Sequence, residues 1–229
     1  EDIKGMKVAV PKEYFSLEMD SRVKDGVAKA IKLFETMGAE IDEISLPNTE
    51  YGLATYYIVS TAEISSNLAR FDGIRYGYRA KDYETLDELY INSRTEGLGE
   101  EIKRSIVAGT YLLSNKQGKE YYNQALKVRN LIKKDFDEIF DKYDIVLSPT
   151  TPNLPFKIGE SITNPFVMYN SGIFNIPANL AGLCAISIPS GNIDNLPVGL
   201  QIMGDRFKEI NILKAAYAFE EELSVGGEK

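Results

Sequence analysis

Histidine is absent from all 229 residues, and cysteine occurs once, at Cys184. The chain therefore has no imidazole to activate a serine or cysteine nucleophile, and no Cys/His set that could hold zinc. A single thiol cannot close an internal disulfide, which fits a reducing, cytoplasmic setting. No apolar run approaches the roughly 18–20 residues needed to span a bilayer, and no charged-then-apolar leader opens the chain. The first residue is Glu1 rather than Met, so the chain reads as a piece cut or processed from a longer polypeptide. Also missing is any Gly/Ser-rich loop that could hold a serine nucleophile beside a lysine. The 18 glycines are scattered, and Gly226-Gly227 sits in a polar tail.

Basic charge is scarce as well. Lysine and arginine number 26 against 34 acidic residues, a net charge of -8. Nucleic-acid binding draws on Lys and Arg to neutralise phosphates, so the chain as a whole is a poor grip for RNA or DNA. The densest basic run, Lys127, Arg129, Lys133 and Lys134, is followed at once by Asp135, Asp137 and Glu138. It reads as the solvated face of an amphipathic helix.

What is present is an ordinary globular balance: 44% hydrophobic and 26% charged residues. The length suits one large domain or two small ones with a buried core. Lys7 to Val10 reads as a short buried strand closed by Pro11. Asp20 is a suitable N-cap for a helix in which Val23, Val27, Ala30, Ile31, Phe34 and Met37 recur at helical spacing, ended by Gly38. Glu40 to Leu46 alternates as a strand does, so residues 7–46 form a βαβ pattern with a parallel pairing expected. Thr49 to Leu68 reads as helix. Arg70 to Arg94, rich in Gly and Tyr, reads as a long functional loop. Two helices are expected at Leu98–Ser114 and Gly118–Lys142, the second with Tyr122, Ala125, Ile132, Phe136 and Ile139 on one face. Asp144 to Leu147 is a strand before Pro149, and Thr150 to Pro165 a loop. Ala185–Ile188 and Val198–Ile202 are strands joined by a turn-rich connector, Ser190 to Pro197. Ile210, Leu213, Ala216, Tyr217 and Leu223 mark a last helix. The sum is an α/β fold with about five strands in a mixed sheet covered by helices.

Six stretches carry a resemblance to a known family. They are Gly5-Met-Lys-Val-Ala-Val-Pro-Lys-Glu-Tyr14, the run from Ala62 to Gly77, Ser93 to Glu101, Asp144-Ile-Val-Leu-Ser-Pro-Thr-Thr-Pro152, Ile176-Pro-Ala-Asn-Leu-Ala-Gly182 and Pro197-Val-Gly-Leu-Gln201. In this order, over nearly the whole chain, they resemble the C-terminal half of the amidase signature family. Within it they are most similar to the glutamine-dependent branch that amidates Glu-tRNA(Gln) and Asp-tRNA(Asn). The resemblance implies that residues 1–229 are the C-terminal portion of an amidase signature domain and lack its N-terminal catalytic part. Family members use a Ser–cis-Ser–Lys triad and an oxyanion hole on that missing part. The set of catalytic residues carried over to this chain is therefore empty, and no activity is expected of it in isolation.

Substrate recognition is carried partly by this half. The resemblance implies a tyrosine, an arginine and an aspartate around free glutamine, the arginine suited to the α-carboxylate and the aspartate to the α-ammonium. The tyrosine falls at Tyr56, with Tyr57 as the register alternative. The arginine position holds Ser105, in Lys103-Arg104-Ser105-Ile106, and the aspartate position holds Gly172. Charged hydrogen bonds contribute on the order of 1.5–3 kcal/mol each, so loss of both weakens glutamine binding by roughly two to four decades. Arg104 is the candidate substitute for its neighbour, although adjacent helix positions point about 100° apart. The family reading further implies no cofactor in this chain, ATP and Mg for a partner subunit, B and C subunits as partners, and tRNA contacted mainly through them. Two rivals stand beside it: an amidase acting on a non-glutamine amide, favoured by Ser105 and Gly172, and a non-catalytic binding module.

Other motifs read more plainly. Ser21-Arg-Val-Lys24 has the S-x-x-K spacing of serine–lysine acylating enzymes but lies in the first turn after Asp20. Gly97-Leu-Gly99 lacks the preceding strand of a nucleotide loop. Cys184 precedes an apolar strand and reads as core. The adjacent Glu220, Glu221 and Glu222 diverge around a helix axis, and Glu40, Asp42 and Glu43 lack metal spacing.

Overall fold

The computed structural model describes residues 2–157 and 170–226. Two compact units divide the chain, one of Glu1–Leu53 with Arg129–Lys229 and one of Ala54–Val128.

The first unit holds a five-stranded mixed sheet in the order β2-β1-β3-β5-β4. Its strands are β1 (Lys7–Pro11), β2 (Glu40–Ile44), β3 (Ile145–Pro149), β4 (Cys184–Ile193) and β5 (Leu196–Gly204). β1 runs parallel to β2 and β3, with Val8 opposite Ile41 on one side and Ile145 on the other. β5 is antiparallel to both β3 and β4. A short helix α1 (Lys12–Ser16) follows β1 directly, where no helix was expected. Helix α2 (Ser21–Thr36) begins at the expected cap: the Asp20 carboxylate accepts from Arg22 N. It ends at Gly38, whose φ of 93° suits glycine.

Alternation along the strands builds the core. Val8, Ile145, Leu147, Leu200 and Ile202 point to one face and are buried against Val23, Val27, Ala30 and Phe34 of α2. Ile212, Ala215 and Phe219 of the last helix (Glu209–Gly226) complete that cluster. The rings of Phe34 and Phe219 stack at 5.2 Å with 13° between planes. The alternate residues Ala9, Val146, Ser148, Gln201 and Met203 point to the opposite face and are also buried.

The hairpin differs from expectation. Residues 190–193 and 196–197 belong to the strands, and only Asp194 and Asn195 form the turn, both with positive φ (53° and 64°). Asp and Asn are the non-glycine residues that best tolerate such a two-residue turn. A register shift between Pro189 and Asn192 absorbs Gly191.

The second unit is helical. A 3-10 turn (Pro47–Tyr51) leads into α3 (Gly52–Leu68), which carries the chain into this unit, followed by α4 (Leu86–Gly97), α5 (Glu100–Ser114) and the start of α6 (Lys116–Phe140). The expected loop over 70–94 is therefore too long: its last nine residues are helix. Thr85 accepts from Glu88 N as N-cap, and Glu88 reaches back to Glu84 N. Leu89 and Ser93 form the buried face. The expected loop to Pro165 is seen to residue 157; its remainder and Tyr169 lie outside the described residues.

Candidate functional site

The sheet's second face carries a polar row. Register places Ser148 on β3 opposite Gln201 on β5, and Ser187 on β4 opposite the same Gln201. Gln201 Nε2 donates to Ser148 Oγ at 2.8 Å and to the Phe174 carbonyl at 2.9 Å. Both side chains are buried, so each hydrogen bond spares a desolvated polar group that would otherwise cost about 1–3 kcal/mol. Thr150, just past β3, continues the row: its Oγ1 lies 2.7 Å from Ser187 Oγ, and its N–H donates to the Gly199 carbonyl. A Cβ on Gly199 would come within 2.7 Å of Thr150 Oγ1. Two of the motif stretches, Ser148-Pro-Thr-Thr-Pro and Pro197-Val-Gly-Leu-Gln201, therefore meet at one place with the segment that precedes the Ile176 stretch.

The Phe174 carbonyl belongs to the turn that bears Gly172. The Gly172 carbonyl accepts from Asn175 N and Ile176 N at 2.9 and 3.0 Å, launching α7 (Ile176–Ala181). α7 ends at Gly182 with φ 72°. Its last carbonyls are held by cations: Arg129 Nε donates to Leu180 O at 2.9 Å and Arg206 Nη1 to Ala181 O at 3.1 Å. Arg206 is itself fixed by Asp137, and its guanidinium holds the Asp137 carboxyl below the usual carboxylate range. The Gly172 segment is thus anchored from the sheet on one side and from α6 on the other.

At Gly172 there is room. Among the described residues, a Cβ would meet only Ile176, at 3.9 Å, and the backbone φ lies outside the left-handed region. Nothing in the local geometry requires glycine there.

Beside Phe174 lies Tyr14, ring to ring at 5.6 Å. Its hydroxyl is buried without a hydrogen-bond partner, alone in this among the described residues. Burial pushes its pKa far above that of a free tyrosine.

Tyr56 and Ser105 sit in the helical unit. Tyr56, on α3, is half-buried, with its ring edge-on to Tyr57 at 5.4 Å. α3 and α5 approach so closely that a Cβ on Gly109 would lie 1.9 Å from the Thr61 carbonyl oxygen. Ser65 Oγ and Thr110 Oγ1 meet across the same crossing at 3.0 Å. Ser105 is half-buried on α5. Arg104 is exposed and paired with Glu101 at 3.3 Å, directed away from its neighbour's position.

The remaining motifs have structural roles. Lys24 Nζ donates to the Phe15 carbonyl at 2.8 Å. Gly97 closes α4 against Tyr78, and Gly99 is the N-cap of α5. Cys184 Sγ donates to the Asp205 carbonyl, and burial raises its pKa, which leaves an unreactive thiol. Glu220, Glu221 and Glu222 are all exposed. The Ser148–Gln201 row, Tyr14 and the two arginines behind α7 were not singled out from the sequence. An amide at an inward strand position, in Val198-Gly-Leu-Gln-Ile202, was the available signal.

The Amidase family profile matches residues 1–213. The A subunit of the glutamyl-tRNA(Gln) amidotransferase of Halothermothrix orenii is 51% identical over 226 residues, covering 98% of this chain and 47% of that protein. The same-named protein of Caldanaerobacter subterraneus subsp. tengcongensis is 52% identical over 236 residues, covering 100% and 48%. The chain spans about half the length of the curated relatives it matches. The crystal structure of the corresponding A subunit from Thermotoga maritima superposes with a TM-score of 0.69 at 39% identity, over 92% of this chain and 41% of that one. A bacterial aryl acylamidase matches with a TM-score of 0.70 at 19% identity, over 96% and 44%, a likeness of fold alone.

Proposed function

The chain belongs to the amidase family, and from that premise we propose that it is the C-terminal, substrate-side half of a tRNA-dependent amidotransferase A subunit. The single observation that carries this reading is relatedness: half or more of the residues are shared with proteins of that name over 98–100% of this chain.

In the whole protein, a serine from the other half attacks the carboxamide carbon of glutamine. A C–O bond forms, the C–N bond breaks, and ammonia leaves with a proton delivered through the serine–lysine relay. Water then cleaves the acyl-enzyme to glutamate and regenerates the serine. Ammonia passes to a partner subunit, where ATP and Mg activate the carboxylate of tRNA-bound glutamate or aspartate. B and C subunits are the partners, and the complex works in the cytoplasm. No helix among the described residues is long and apolar enough to cross a membrane.

This chain's part is positional. The Gln201–Ser148 pair and the Arg129 and Arg206 contacts hold the Gly172 segment as a substrate-facing wall of the sheet unit. Tyr56 of the helical unit is a substrate contact by family likeness alone. Coexpression of the full-length protein with B and C subunits tests the reading: glutamine-dependent tRNA amidation supports it, and amidation with ammonia but never with glutamine refutes it.

A second reading is favoured by Gly172 and Ser105. Among the described residues, only Ile176 approaches a side chain added at 172 and Arg104 is paired with Glu101, so neither supplies a charged glutamine anchor. On this reading the substrate is an amide without the α-amino acid zwitterion.

A further inference from the structure

We propose that the segment Arg70–Tyr83 of the helical unit is an RNA-contacting platform that binds an unpaired strand by phosphate pairing and base stacking. The proposal stands on this segment alone and goes beyond the function above, which leaves RNA to a partner subunit.

Charge is concentrated here against the trend of the chain. Between Arg70 and Tyr83 there are four cations, Arg70, Arg75, Arg79 and Lys81, and two anions, Asp72 and Asp82, a net of +2 in a chain of net -8. Asp72 is occupied, accepting from the backbone N–H groups of Ile74 and Arg75 at 2.8 and 3.0 Å. None of the four cations is within ion-pair reach of a carboxylate among the described residues, whereas Lys103, Arg104, Lys133 and Lys134 all are.

Aromatic rings are interleaved with these cations. Tyr76 and Tyr78 are 57% and 48% exposed, and Phe71 and Tyr83 are exposed as well. The Arg79 guanidinium lies 5.4 Å from the centre of the Tyr83 ring and donates to its hydroxyl at 2.6 Å, a flat cationic surface of the kind on which bases stack.

The platform is built rather than loose. Gly73 (φ 78°) lies so close to Ser93 that a Cβ would be 2.4 Å from its Oγ, and Gly77 (φ 81°) packs on Phe71. Ser93 Oγ accepts from Ala80 N, Asn92 Nδ2 donates to Asp82 O, and Arg94 donates to the Leu68 and Phe71 carbonyls. Tyr78 is fixed by Glu96 at 2.7 Å. Ordering entropy at these exposed rings is therefore already spent before any partner arrives.

The test is fluorescence anisotropy of the purified chain with unfractionated tRNA and a labelled uridine 20-mer, across a salt series, with heparin as a polyanion without bases. The proposal expects binding in low salt. The Arg75→Ala/Lys81→Ala double variant should weaken it and lower the slope of log K against log salt by about 1.4. Tyr76→Ala should weaken it on the order of tenfold, and Lys127→Ala should leave it unchanged. Circular dichroism of each variant should match the parent. Absence of RNA binding overturns the proposal, as does binding that the loop variants leave intact. Equal displacement by heparin with an inert Tyr76→Ala also overturns it, leaving a plain anion patch. Loss of a protein partner's association in these variants, without RNA binding, reassigns the surface to a protein.

Discussion

Gln201 and Ser148 face each other across the β3–β5 ladder, 53 positions apart in sequence, and one Gln201 amide nitrogen serves both Ser148 Oγ and the Phe174 carbonyl. That arrangement makes Gln201 the link between the sheet and the segment carrying Gly172. Gln201→Leu keeps the volume but leaves two buried acceptors without a donor. It should cost about 2–3 kcal/mol in urea unfolding and speed hydrogen exchange at the Asn175 and Ile176 amides more than at β1.

The Tyr14 hydroxyl presents the opposite case, a buried donor with no acceptor among the described residues. Removing it should not harm the fold. Tyr14→Phe is expected to be neutral or to stabilise this chain by up to about 1 kcal/mol, read by the denaturation midpoint. A loss larger than that would mean the hydroxyl has a partner.

Two glycines separate packing from function. Gly109→Ala drives a methyl into the Thr61 carbonyl and should destabilise by about 1–3 kcal/mol. Gly172→Ala, in a permitted backbone region, makes only an ordinary contact with Ile176 among the described residues and should stabilise slightly, by about 0.4–1 kcal/mol. Thermal melts of the two variants check the contrast.

Acid should loosen the α7 anchor. Arg206 is the main cause of the lowered Asp137 pKa, opposed by burial and aided by Lys133. A carboxylate whose folded pKa is depressed adds stability above its unfolded value, about 3.9, and loses it as pH falls through the folded value. Asp137→Asn should therefore be less stable than the parent at pH 7 and match it near pH 2. The gap should stay below about 1 kcal/mol, since more than a third of the side chain is in water.

Local signals in the sequence were sufficient for the β1–α2–β2 unit. Val23, Val27, Ala30 and Phe34 repeat at one helical face, and Asp20 and Gly38 mark its ends. α4 was hidden because the glycines and tyrosines of 72–78 extended the loop reading over Thr85 and Glu88, which in fact start a helix. The polar row was illegible for a different reason. Which strand residues face each other depends on a register between distant segments, and no local pattern in Ser148-Pro149 or Leu200-Gln201 announces it. Tyr56, Ser105 and Gly172 came from family likeness, not from periodicity. For Gly172 the structure adds that the residue type is not forced by the backbone.

The substrate anchors can be tested directly in the full-length protein. Ser105→Arg with Gly172→Asp should tighten glutamine binding by roughly two to four decades if these are the lost anchors, measured by calorimetry. An unchanged affinity would place the anchors elsewhere.

Ammonia release from glutamine by the purified chain, Glu1 to Lys229, beside the full-length protein assembled with its partners, bears most directly on the division of labour proposed above. The chain alone should release none above buffer, while the assembly should turn over. Release by the chain alone that a serine-directed inhibitor abolishes would contradict the account, because it would locate the nucleophile among these residues.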